Sequence, residues 1–70
     1  MFNYNKLRGR IREIFETQGN FAKAIGKSET SVSKRLNNEI PFDQIDIKRS
    51  IEVLNIPETE IKDYFFSQKV

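Results

Sequence analysis

The sequence predicts an all-α fold, a compact bundle of five helices with two of them joined as a helix-turn-helix. Three observations carry this. Apolar residues recur three and four apart in successive segments, and no segment alternates with period two long enough to argue for a strand. Gly, Pro and paired Asn residues punctuate the chain between those segments. The stretch Phe21 to Leu36, FAKAIGKSETSVSKRL, reads as two short helices joined by a tight turn at Gly26. With 70 residues, the chain makes one domain, 1–70, near the lower limit for independent folding.

The first helix is expected from Tyr4 to Thr17, with Leu7, Ile11, Ile14 and Phe15 as one apolar stripe. Asn3 or Asn5 can cap its start, and Gln18-Gly19 can end it. Arg8, Arg10 and Arg12 fan round its polar side. The second helix runs from Asn20 to Ile25, with Phe21, Ala22 and Ile25 inward, and the small Ala22 lets another helix approach closely. Gly26 follows, where a left-handed helix end needs no Cβ. Ser28 caps the third helix, Glu29 to Asn37, which turns Val32 and Leu36 to the core. After the polar turn Asn37-Asn38-Glu39, Pro41 holds Ile40 extended. The fourth helix runs from Asp43 or Gln44 to Leu54, burying Ile47, Ile51 and Leu54 with Ile45 beside them. Pro57 opens the fifth, which ends at Phe65 with Ile61 and Phe65 inward.

Composition narrows the function classes. The chain has no Cys and no His, which excludes a disulfide framework, zinc sites built on those residues, and Cys–His or Ser–His–Asp catalysis. No apolar run approaches the roughly 18–20 residues needed to span a membrane, and no signal-peptide pattern opens the chain. No Gly-rich phosphate loop is present, no cofactor is implied, and an enzyme is the weakest reading. The net charge of +2 hides a split: residues 1–35 carry eight Lys/Arg against three acids (+5), and residues 36–70 carry four against seven (−3). A basic half attracts a polyanion, while an acidic half faces away from it.

Burying Val32 and Leu36 leaves Ser28, Glu29, Thr30, Ser33, Lys34 and Asn37 outward. In helix-turn-helix docking, residues at the start of the second helix reach base edges in the major groove. Lys34 can donate to guanine O6/N7, Glu29 can accept from cytosine N4, and Thr30 can meet a thymine methyl. Arg35, one position round the helix, and Lys27, in the turn, are phosphate candidates.

The spacing of Phe21-Ala22, Ile25-Gly26, Val32 and Leu36 resembles the helix-turn-helix of the Cro/C1-type family of phage repressors, with a lambda-repressor-like domain. The stretch from Ile51 to Pro57 is similar to that family's fourth helix and its turn into the fifth, so the likeness covers roughly residues 4–66. Tyr4, Leu7 and Ile11 match the opening helix of its small phage members. The resemblance implies base reading by Glu29, Thr30 and Lys34, with Ser33 close by. It implies phosphate contact by Gln18, Ser28 and the turn Asn37-Asn38, where the family often carries Glu and Gly.

Each residue also has a plainer role. Ser28 is an N-cap, Glu29 complements the helix dipole, and Thr30 and Ser33 are surface polar residues. Tyr64 and Phe66 cannot both share the inward direction of Phe65; they make a dimer or partner contact, or a clasp over Phe2 or Tyr4. The leading expectation is a sequence-specific transcriptional regulator of Cro/repressor type, a homodimer on double-stranded operator DNA in phage or prophage, acting in the cytoplasm of a bacterial host at the nucleoid. The opening Met and the end soon after the fifth helix favour a complete small protein. The alternative is a Cro-like antirepressor or modulator that binds a partner phage repressor protein and blocks its DNA surface; acidic Glu29 on the reading helix fits that role.

Overall fold

The computed structural model describes residues 1–68, and within them the five helices stand in the expected order. They are α1 (Asn5–Phe15), α2 (Gln18–Ala24), α3 (Glu29–Leu36), α4 (Gln44–Val53) and α5 (Ile61–Phe65), the last preceded by a 3-10 turn over Glu58–Glu60. Helix α2 packs on both α1 and α3, and α5 packs on α1. Leu7, Phe21, Val32 and Leu54 are fully buried at the centre, closed in by Ile11, Ile25, Leu36 and Phe65.

Three boundaries differ from expectation by more than a residue: the end of α1, the start of α2, and the start of α5, which opens at Ile61 rather than Pro57 because Glu58–Glu60 wind as a 3-10 turn. Helix α1 stops at Phe15 rather than Thr17, and Gln18-Gly19 opens α2 instead of closing α1. Glu16 makes the break: its φ of 67° and ψ of −46° form a tight turn in which Thr17 N–H donates to the Phe15 carbonyl at 2.7 Å. Thr17 then caps α2, its Oγ1 accepting from Asn20 N–H at 3.1 Å. The stripe on α1 is correspondingly shorter, since Leu7 and Ile11 are buried but Ile14 is exposed.

Helix α4 departs further. Ile45, expected beside the core, is 61% exposed, and Ile47 and Ile51 are only half-buried. Its fully buried positions are Asp46 and Ser50. Asp43 caps the helix and Asp46 completes a capping box, each side chain accepting from the other's backbone N–H. Ser50 Oγ donates back to the Asp46 carbonyl at 2.7 Å.

Helices α2, α3 and α4 end alike. Gly26, Asn38 and Asn55 take positive φ of 73°, 62° and 51° just past the three ends. The next residue's N–H returns five positions: Lys27 to Ala22, Glu39 to Lys34, Ile56 to Ile51. An arginine from elsewhere then donates to the exposed terminal carbonyl: Arg49 to Ile25, Arg8 to Leu36 and Arg10 to Leu54. A helix C-terminus favours positive charge, so each arginine both pairs a carbonyl and meets the dipole.

The first residues and the end of α5 close over the bundle. Asn3 N–H donates to the Ser67 carbonyl at 2.7 Å, and Phe2 and Gln68 form a single antiparallel bridge. A chain of edge-on or tilted aromatic contacts runs Phe66–Phe2–Tyr4–Phe42–Phe65, with centroids 5.3 to 6.1 Å apart.

Candidate functional site

The candidate site is the outer face of α3. Ser28 is in extended backbone and its Oγ accepts from Ser31 N–H at 3.1 Å, so the cap forms as the sequence implies. Val32 and Leu36 are buried and anchor α3 against α2. Glu29, Thr30 and Lys34 are exposed and Ser33 is half-buried. With Gln18 and Glu39 they line one open groove of about 410 Å³. The structure thus brings all four base-reading candidates, and Gln18, onto one surface.

The phosphate candidates separate. Arg35 is turned under the helix, its side chain 11% exposed, with Nε 2.8 Å from Oδ2 of Asp46. Its Nη1 donates to the Ser31 carbonyl at 3.0 Å and also to Ser31 Oγ. Lys27 is drawn to the same acid, Nζ standing 3.3 Å from Oδ1, within ion-pair range but off the hydrogen-bond line. Two cations expected to meet a polyanion therefore meet a buried carboxylate. Burial by itself pushes the Asp46 carboxyl up; the Arg35 hydrogen bond, the Asp43 N–H, the Lys27 ammonium and the guanidinium charge outweigh it and hold the group below its ordinary 3.8.

The turn after α3 is also committed. Asn37 Oδ1 accepts from Arg8 at 2.8 Å. Asn38 holds both backbone groups of Phe2, accepting from its N–H at 3.0 Å and donating to its carbonyl at 2.9 Å. Its side chain faces the chain's own first residues. Asn38 does adopt the left-handed conformation that the turn requires.

Tyr64, expected to be exposed against a partner, is buried at 8%, with Lys6 Nζ 4.7 Å above its ring. Phe66 remains 45% exposed but packs edge-on against Phe2 at 5.8 Å, which is the clasp. Among the described residues, the side chains of Arg12, Lys23, Lys34, Lys48 and Lys62 make no ion pair or hydrogen bond, and of these only Lys34 lines the α3 groove.

Sequence reasoning missed Asp46. The pattern Asp43-x-x-Asp46 signals a capping box, but a cap is usually wet, and nothing local tells that this one lies under α3. The described residues hold no cluster of acids suited to a metal ion, and no helix is long and apolar enough to cross a membrane.

A family model described as protein of unknown function (DUF739) matches residues 1–68. Among solved structures, the chain is similar to the modulator of repression (MOR) of the temperate bacteriophage TP901-1 from Lactococcus lactis. The two share 39% identity with a TM-score of 0.83, over 99% of this chain and 93% of that one. No curated protein matches.

Proposed function

The chain belongs to the DUF739 family, and from that premise we propose that it is a phage regulator that acts by binding a phage repressor protein. The observation that carries this reading is the 39% identity, over nearly the whole chain, to a protein named a modulator of repression. The α3 face supports it. A DNA reader needs cations free to meet phosphates, and here Arg35 and Lys27 are spent on Asp46 while Asn37 and Asn38 are spent on Arg8 and Phe2. The regulator works in the host cytoplasm, where the repressor meets its operator.

The test pairs this protein with the repressor encoded in the same phage genome. The two co-elute in size-exclusion chromatography, and adding the regulator releases the repressor from labelled operator DNA, whereas the regulator alone leaves that DNA unshifted. Failure to co-elute, together with a direct shift whose affinity falls with salt at a log–log slope of about −0.9 per phosphate, would replace this reading with operator binding.

Operator binding by a Cro-like homodimer is the second reading. One observation favours it: Val32 and Leu36 point inward and present Glu29, Thr30, Ser33 and Lys34 together, the geometry of a base-reading helix.

A further inference from the structure

We infer that Glu29 and Glu39 are specificity-determining residues, making the α3 face reject duplex DNA and accept a protein surface rich in Lys and Arg. The choice of a protein rests on the repressor-binding reading above; the rejection of DNA does not.

The groove along α3 holds two carboxylates, Glu29 and Glu39, against one ammonium, Lys34. The nearby cations that would reverse this balance, Arg35 and Lys27, are drawn toward Asp46. Glu29 is placed to matter. Its carboxylate lies over Gly19, with oxygens 3.4 and 3.5 Å from where a Cβ on that glycine would stand, so it spans the edge between α2 and α3. Glu39 closes the opposite end of the groove, where its N–H is bound to the Lys34 carbonyl at 2.8 Å and holds the turn in place. A helix-turn-helix docked on a duplex lays its second helix in the major groove and its first across the sugar–phosphate backbone, so both carboxylates enter the field of the phosphates. Duplex DNA brings about one negative charge per 1.7 Å of axis. A phosphate about 6 Å from a carboxylate in water weakens binding about threefold, and two such encounters weaken it about tenfold. A Lys/Arg-rich protein surface meets the same groups with the opposite sign.

The variants are Glu29→Gln, Glu39→Gln and the double substitution, with Glu58→Gln as control. Glu58 is exposed and lies in the 3-10 turn before α5, outside the α3 groove. Binding to a fluorescein-labelled duplex of arbitrary sequence, about 20 base pairs long, is read by anisotropy at about 50 mM and about 200 mM salt. The double variant should bind about tenfold tighter than wild type at low salt, each single variant about threefold, and the gain should shrink at high salt. Glu58→Gln should stay within about 1.5-fold of wild type, because Glu58 does not line the groove. Equal gains at Glu58 and in the double variant overturn the rejection of DNA, as does tight, steeply salt-dependent binding by the wild type. In the second arm, the double variant should lose about tenfold in affinity for the repressor. Undiminished binding overturns the choice of a cationic partner. A wild type that does not bind the repressor overturns that choice and the proposed function together, and leaves the DNA arm to decide the rejection alone.

Discussion

Asp46 is 1% exposed, and two cations converge on it from the helix-turn-helix. Replacing it with Ala strands the Arg35 guanidinium under α3 and removes half of the α4 capping box. Breaking one partner of a buried pair costs about 3–5 kcal/mol, and the remaining exposure of Lys27 and Arg35 sets the expected loss near the lower figure. Urea denaturation checks this. The pH dependence has a definite sign. The folded-state pKa lies below the ordinary 3.8, so the carboxylate contributes stability above that value, and the contribution is lost as pH falls through the folded pKa. The stability gap between wild type and Asp46→Asn should therefore hold from about pH 7 to about pH 5 and narrow below about pH 4. A gap constant down to pH 3 would show that Asp46 acts only through packing. The sequence hides this hub because Asp46 and Arg35 are eleven positions apart on different helices, and the pattern that places Asp46 on α4 is equally at home on a solvated face. Hence Arg35 and Lys27 read as free cations, while Ser28, Val32 and Leu36, whose roles follow from cap and spacing within one helix, read correctly.

Between elements, the sharpest local cost is at Glu16, a side-chain-bearing residue held at φ 67° between α1 and α2. This turn is rare for such a residue, and strain of this kind costs of order 1–3 kcal/mol. Glycine relieves it but adds backbone entropy to the unfolded chain. Glu16→Gly is expected to stabilise by about 1 kcal/mol net, read as a higher melting temperature with an unchanged fold. Ser28→Ala should do the opposite and cost about 1 kcal/mol, because Ser31 N–H loses its acceptor. The order of elements was legible because each α3 and α4 start carries a polar cap and each stripe repeats within a few residues. The end of α1 was not. Its stop is a strained Glu rather than the nearby Gly, and Gly19 is needed within α2, under the Glu29 carboxylate. The arginines were legible as charges but not as tethers, since Arg8, Arg10 and Arg49 reach carbonyls 24 to 44 positions away.

At the scale of the molecule, the charge split between halves does not translate into as many free cations. Much of the first half's positive charge is tethered within the fold: Arg8 and Arg10 to helix ends, Arg35 and Lys27 to Asp46, Lys6 to Glu60 at 3.5 Å. A net charge counted along a sequence says nothing about which cations are already occupied, and this is why the partner class was less legible than the fold. The aromatic closure is the other whole-chain feature. Phe42→Ala removes the ring that joins Tyr4 to Phe65, and truncating a half-buried aromatic of this kind is expected to cost about 3 kcal/mol. The loss should appear as earlier thermal unfolding, with the Ser28 and Thr17 caps unaffected.

Asn38 grips Phe2 by both of its backbone groups while also shaping the exit of α3. The opening residues are thereby a brace for the far end of α3, and any trimming of them is transmitted there. Deleting residues 1–3 should accelerate amide exchange at Asn38 and Glu39, some three dozen positions downstream, before it is felt at Ser28; a protease that nips the very start of the chain would then soften the exit of α3.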